Sequence, residues 1–499
     1  MGKDRNAIII GAGIGGLATS VFLAKQGYSV SIFEKNSAPG GRCGQMIREG
    51  HRFDLGATML MMPGVYHEVF DLLGIELREG KDILPLENLY TIFFDECSSL
   101  AFSTDSEKMR QQLEKIEPGS FVRERDYVES GYRIYNLGMS RLVARNFYNL
   151  FQMINLKNIP LLFHLKAFTP HYSYAGRFFR NEHLRMAYTF QNIYVGQNPF
   201  KSPALFSMIP AAELTEGTFF PASGGMFWIV ERLLAEAGKQ GVRFFFNNPV
   251  CRIAVEGRRV KGIVFSDGTT AEADIVISNA DLPYSYRQLL PDKRKAARID
   301  RMKYSCSAIT FHWGVDKRYP QLDQHNVFLS DNFREGLDKI FREKSVGNEP
   351  CFYVHAPAKQ DPSSAPPGQE TISVEVGTGH IDNLRHQDWV DIRERTRKAV
   401  LDRLRKQGLD DLEDHIKFEI CHTPESWENG CNISKGSVFG SLGHNIFQMG
   451  YFRPHNRHDK YHNLYFTGGS THPGNGIPNV LLSAKLVSER ILKENPDLK

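Results

Sequence analysis

The stretch Ala7–Arg42, AIIIGAGIGGLATSVFLAKQGYSVSIFEKNSAPGGR, decides how the chain folds. An apolar run, Ala7 to Ile10, breaks at Gly11-Ala-Gly13-Ile-Gly15-Gly16 and resumes with Leu17, Val21, Phe22 and Leu23 at helical spacing. This pattern predicts a strand, a tight turn and a helix. A second apolar run, Val30 to Phe33, ends in Glu34, 23 residues after Gly11, and completes a βαβ unit. Gly11 permits the turn, Gly13 lets backbone approach a pyrophosphate, and Gly16 lets the helix pack close to the strand. The free N–H groups at the helix start face phosphate charge, and a carboxylate at Glu34 can accept hydrogen bonds from ribose hydroxyls. These residues point to a dinucleotide but do not distinguish its kinds.

The following residues narrow the choice. Gly40-Gly41-Arg42 and then Asp54-Leu-Gly56-Ala-Thr58 resemble the extended fingerprint of the two-domain flavoprotein oxidoreductases related to glutathione reductase and the amine oxidases. Near the other end, NLYFTGGSTHPGNGIPNVLLSAK (463–485) predicts a strand, a glycine-rich turn and a helix starting near Pro478, whose N-terminal dipole can stabilise negative charge on a reduced flavin. This segment is similar to the GAGTHPGAGIPGV signature of the bacterial phytoene desaturase type of carotenoid desaturase. Gly468, Thr471 to Gly474 and Gly476 to Pro478 match, whereas Gly469 and Ser470 depart from it. The Ser278-Asn-Ala-Asp281 turn and the Gly224-Gly225-Met226 segment extend the resemblance over nearly the whole chain.

The resemblance implies an α/β fold, with a Rossmann-type FAD-binding domain and a discontinuous substrate domain combining a mixed sheet with a helical region. The expected FAD-binding parts are residues 1–82, 223–284 and 455–499, and the substrate domain is 83–222 and 285–454. The implied FAD contacts are Gly11, Gly13, Gly15, Gly16, Glu34, Lys35, Gly41, Arg42, Gly56, Ala57 and Thr58, followed by Val250, Asn279, Gly468, Gly476, Ile477 and Pro478. The implied activity is desaturation of a long isoprenoid such as phytoene, by hydride transfer to flavin, with a quinone or oxygen as electron acceptor. No residue is singled out as a catalytic base.

Length and composition agree with this outline. A chain of 499 residues is about three typical domains long. With 61 Lys and Arg against 57 Asp and Glu, the net charge is only +4, which argues against a nucleic-acid binder. The seven cysteines show no CxxC spacing, so neither a disulfide framework nor a zinc site is expected, and a reducing cytoplasmic setting is the natural reading. The apolar run after Met1-Gly-Lys-Asp-Arg is needed for the dinucleotide strand and is not expected to be a secretion signal. No apolar stretch reaches the length of a transmembrane helix.

Residues 139–190 carry seven Lys or Arg, one acid (Glu182) and eleven Phe or Tyr. Cationic stems beside aromatic rings suit a membrane surface, and they equally suit a helical domain with a solvated basic face. Both readings stand at this level, as do two for Met59, Met61 and Met62: a pocket lining or plain core. Glu213 and Glu216 have two readings, facing a substrate or, as the stronger expectation, standing at the surface or as helix N-terminal charges. AKQDPSSAPPGQE (358–370) is expected to be a flexible loop. Other functions compatible with the motifs are a carotenoid isomerase or ketolase, an amine oxidase-like enzyme, and a lipid-binding relative without flavin chemistry, of the Rab escort and GDP-dissociation-inhibitor kind.

Overall fold

A computed structural model describes residues 5–95, 98–153 and 159–496. Cys97 and residues 154–158 of the basic aromatic stretch lie outside the described residues.

The predicted βαβ unit forms. Strand β1 (Arg5–Ile10) leads through the glycine turn into helix α1 (Ile14–Ala24), and strand β2 (Tyr28–Phe33) returns parallel to β1. Three more strands join from far along the chain: β3 (Arg243–Phe245), β4 (Ile275–Ser278) and β5 (Leu464–Phe466). The five pair in the order β3-β2-β1-β4-β5, all parallel. Helix α1 is buried on almost every side, because helices α2 (Phe227–Lys239) and α3 (Ile477–Glu494) pack beside it over the sheet. This explains its continuous apolar run, in place of the amphipathic stripe of a surface helix. An antiparallel sheet of Val250–Glu256, Arg259–Phe265 and Thr270–Glu272 precedes β4.

The second lobe is a seven-stranded mixed sheet. Its order is Ile416–His422, Ser307–Val315, Glu370–Thr378, Phe352–His355, His325–Phe328, Asn88–Phe93 and Ser99–Ser103. Every pairing is antiparallel except His325–Phe328 with Asn88–Phe93. Side-chain alternation gives this sheet two different faces. Ile372, Val374 and Val376 pack under the long helix Trp389–Lys406, whereas the opposite face turns toward the first lobe. Helices Ser106–Ile116, Ser120–Gly138 and Met208–Glu216 and several shorter turns complete the lobe.

Two expectations fail here. Glu213 is 1% exposed and lies late in its helix, where its carboxylate accepts a hydrogen bond from the Tyr90 hydroxyl at 2.9 Å. Glu216 ends the same helix half-buried and accepts from Tyr132 at 3.1 Å. Neither is a helix N-terminal charge; the tyrosine donors that hold them come from remote elements and leave no local sequence signal. The loop 358–370 is pinned rather than flexible. Asp361, 5% exposed, pairs with Arg52, and Ser364 O accepts from Thr371 Oγ1 at 2.7 Å.

Burial raises the Glu213 carboxyl from 4.5 to about 8. Between those values the folded chain holds a proton that the unfolded chain has released, so folding stability falls as pH rises through this window. Glu213→Gln, which keeps the shape and cannot ionise, is expected to raise Tm at pH 8 relative to the parent and leave it little changed at pH 5. Thermal melts across that range check this, and an equal shift at both pH values would contradict it.

Candidate active site

The turns at the C-terminal ends of β1, β4 and β5 converge. Gly11 has φ +97°, open to glycine and strained for other residues. Its N–H donates to Phe33 O at 2.8 Å, and Asn279 Nδ2 donates to Gly11 O at 3.3 Å. A β-carbon on Gly13 would stand 2.9 Å from Asn279 Nδ2, and one on Gly15 2.6 Å from Asn279 Oδ1 and 3.2 Å from Gly468. On Gly16 it would fall 2.3 Å from Gly11 O. Gly16 therefore serves helix–strand packing, and it alone of the expected contacts does not line the cavity.

That cavity, of about 470 Å³, runs between the lobes. One end is polar. Helix α1 begins at Gly13 with no side-chain cap and no acid in its first turn, so its orphan N–H groups open into the cavity. Helix α3 begins in the same way at Gly476 (φ +88°), with Ile477 and Pro478 in its first turn. Two positive helix ends thus meet one cavity. Glu34, 8% exposed, accepts from Ala12 N at 2.8 Å and Asn36 N at 2.9 Å, one bond to each carboxylate oxygen. These bonds fix the carboxylate and leave lone pairs for further donors. Val250, with Pro249 and Phe33, walls the space next to it.

Arg42 lies in the short turn Gly41–Cys43 and donates from Nη1 to Val438 O at 3.0 Å. Gly56 fits beneath it: a β-carbon there would come within 2.0 Å of Arg42 O. Asp54 ties this segment to Gly224-Gly225-Met226, accepting from Met226 N at 3.0 Å, and burial pushes its carboxyl up to about 6. Ala57 and Thr58 continue the lining, and Thr58 Oγ1 lies 2.7 Å from the Tyr353 hydroxyl. Lys35 also borders the cavity, but its ammonium donates to Asn429 O (2.8 Å) and Asn432 Oδ1 (2.9 Å) in the other lobe.

One structural residue had no sequence signal. Arg453 is fully buried and braces the C-terminal turn, donating from Nη2 to Gly469 O at 2.8 Å and from Nε to Thr471 O at 2.9 Å. Burial lowers its guanidinium to about 9. Its acceptors are backbone carbonyls, which have no side-chain motif.

The far end of the cavity is apolar. Phe190 and Ile193 descend from one short turn, Phe333, Leu337 and Ile340 from the helical run 333–343, Val327 and Phe352 from the sheet, and Leu329 from the position after the strand His325–Phe328. Met59 and Met61 line the cavity, whereas Met62 packs against the core of the first lobe. A phosphate-bearing group thus fits one end and a hydrocarbon the other. Gly15→Ala is expected to close the approach beside Asn279 and reduce bound yellow flavin at least about tenfold, with a melting curve that still reports a folded chain. Flavin absorbance per mole of purified protein checks this; full occupancy in the variant would contradict it.

Residues 14–492 match the family described as flavin containing amine oxidoreductase. A phytoene desaturase of Phycomyces blakesleeanus is 36% identical over 98% of this chain and 86% of its own length. A zeta-carotene-forming phytoene desaturase of Myxococcus xanthus is 37% identical, covering 98% and 94%. Among solved structures, an oxidoreductase from Methanosarcina mazei shares the fold with TM-score 0.63 and 16% identity, covering 97% of this chain and 100% of that one. The cofactor is FAD, a group that the glycine turn, Glu34 and the two helix N-termini suit. The chain belongs to the flavin containing amine oxidoreductase family, on its phytoene desaturase side.

Proposed function

We propose that the protein is an FAD-dependent desaturase that introduces C=C bonds into a long isoprenoid hydrocarbon of the phytoene class. The observation that carries this reading is the cavity itself, a polar cradle continuous with an apolar wall of Met, Phe, Ile, Leu and Val side chains. The names of the relatives support it. When bound, FAD supplies the two-electron oxidation of a CH–CH unit.

The chain's own residues bind, align and exclude water. Glu34 is assigned to ribose hydroxyls, with Val250 at the adenine side. The N–H groups beyond Gly13 and Gly15 are assigned to the pyrophosphate, and Gly41, Arg42, Gly56, Ala57 and Thr58 to the stretch leading to the flavin. Asn279 and Gly468 keep the floor thin, and Gly476, Ile477 and Pro478 present the positive helix end to the flavin ring. Lys35 closes the adenosine end through its bonds to Asn429 and Asn432. Met59 and Met61 adapt to the irregular shape of a polyene precursor.

A membrane surface is the proposed source of substrate. No described helix is long and apolar enough to cross a bilayer. The part of the basic aromatic stretch that the structure describes instead carries exposed apolar groups: Phe151 is 80% exposed, Phe163 65% and Phe168 65%. Phe447, 75% exposed, belongs to the neighbouring segment, whose Met449 packs with Leu161 and Leu165 and whose Tyr451 N–H donates to Met153 Sδ at 3.1 Å. The same stretch carries the cations Arg141, Arg145 and Lys166, of which Lys166 adjoins Phe163, its N–H donating to Phe163 O at 3.0 Å, as a surface binder needs.

A second reading, oxidation of an apolar amine, has one observation in its favour, the Glu375 carboxyl in the cavity wall. The FAD-loaded protein, incubated with phytoene in liposomes and analysed by chromatography, is expected to give products with added conjugated double bonds. Unchanged phytoene, with flavin bleached by amines, would replace the desaturase reading by the oxidase one. Phe151→Glu combined with Phe447→Glu is expected to abolish flotation with anionic phospholipid vesicles while leaving FAD content unchanged. Undiminished flotation would contradict the assigned surface.

A further inference from the structure

One face of the seven-stranded sheet floors the cavity, and its polarity changes along the strands. Ala308, Thr310, Val327, Tyr353, Glu375 and Gly377 line the cavity on that face. Two residues further along the same face, the sheet turns to buried polar groups, with Ser373 beside His312 and His355. Glu375 sits at the border, paired across the strands with Thr310 on one side and Tyr353 on the other.

Among the described residues three carboxylates line the cavity, and two have structural work. Glu34 is held by Ala12 N and Asn36 N, and Asp281 accepts from Ser434 N at 3.0 Å and Ser441 Oγ at 2.6 Å. Among the described residues, no hydrogen bond or ion pair reaches the carboxyl of Glu375. An unpartnered carboxyl facing a hydrocarbon-lined space costs stability and has no packing role that an apolar residue would not fill better. A carboxyl so placed points to a chemical task.

We propose that Glu375 is the catalytic residue that receives the proton in desaturation, an inference that rests on the desaturase reading. The substrate loses a hydride from one carbon, with both bonding electrons, to the oxidised flavin. The adjacent carbon loses its proton to a carboxylate oxygen of Glu375, and the electron pair of that C–H bond becomes the new C=C bond. The substrate is oxidised by two electrons, and the proton passes from Glu375 to water. Before the proton leaves, the carboxylate also opposes the positive charge that hydride loss creates, and in an apolar cavity that attraction is strong.

No other lining group suits the task. The apolar end has no histidine or lysine among its lining residues. The titratable groups that face Glu375 are the phenols of Tyr194 and Tyr353, both raised well above the usual tyrosine value by burial, so they stay neutral and donate rather than accept. Burial pushes the Glu375 carboxyl from 4.5 up to about 7, where it both ionises and holds a proton near neutral pH.

The test compares FAD-loaded wild type, Glu375→Gln and Glu375→Asp on phytoene in liposomes. Glu375→Gln is expected to keep its FAD content and KM while kcat falls about 100-fold or more, the usual scale for losing a positioned base. Glu375→Asp is expected to recover part of that loss, and the rise of kcat with pH near 7 is expected in wild type and absent in Glu375→Gln. Infrared titration of the substrate-free holoenzyme provides a readout independent of turnover: burial also raises the Glu124 and Glu213 carboxyls, to about 7 and about 8, so the expected result is a protonated carboxyl band lost near pH 7 that remains in the wild-type-minus-Glu375→Gln difference spectrum. Glu375→Gln turnover within threefold of wild type overturns the proposal. So do infrared titrations of wild type and Glu375→Gln that superimpose near pH 7; if Glu375→Gln fails to fold, Glu375→Asp, whose carboxyl band is expected to shift, takes its place in that comparison. Wild type that leaves phytoene untouched overturns the desaturase reading itself.

Discussion

The side chain of Asn279 occupies the space that β-carbons at Gly13, Gly15 and Gly468 would need, while Gly11 O blocks one at Gly16. Three chain segments separated by hundreds of residues are thereby held at near-contact. Because that floor is thin, the N-termini of α1 and α3 open on one cavity with no capping side chain between them. This packing and the lack of acids in either first turn suit both helix ends to an anion. Arg453 has a complementary role beneath the C-terminal turn, where its buried guanidinium is bonded to backbone carbonyls that would otherwise lack donors.

The second lobe contributes a surface rather than a motif. Alternation along its central strands puts valines and isoleucines under the long helix and a mixed row into the cavity. Hydrocarbon binding needs little more than volume, shape and dryness, so few of these residues make polar contacts. Glu375 differs in kind, a carboxyl that no hydrogen bond among the described residues reaches, and a single carboxyl in such a wall gives the cavity a chemical direction that the flavin cradle alone does not.

The sequence made the first lobe legible because phosphate and ribose demand particular residues at fixed spacing. Gly11 to Gly16, Glu34 and the turn at 468–478 could be read directly, and all but Gly16 of the expected contacts border the cavity, Gly16 being the one whose packing role was also expected. Lys35 borders the cavity among the expected contacts, and its ammonium reaches Asn429 and Asn432. Glu213 and Glu216 were misplaced because their tyrosine partners come from other elements, and no local pattern encodes such a pairing. The loop 358–370 was misjudged for the same kind of reason: its Pro, Ser and Gly content suggests freedom, whereas Arg52 and Thr371 tie it down. Apolar walls gave no signal at all, since a cavity-lining Phe333 or Leu337 has the same sequence character as a core residue.

Anaerobic titration of the FAD-loaded protein with phytoene in liposomes, followed by the flavin absorbance, asks whether the cavity oxidises a hydrocarbon. Oxidation of a CH–CH unit in this cavity predicts that phytoene bleaches the flavin and that one double bond appears for each flavin reduced. Flavin that stays oxidised with phytoene present, yet bleaches on addition of an amine, would contradict the account.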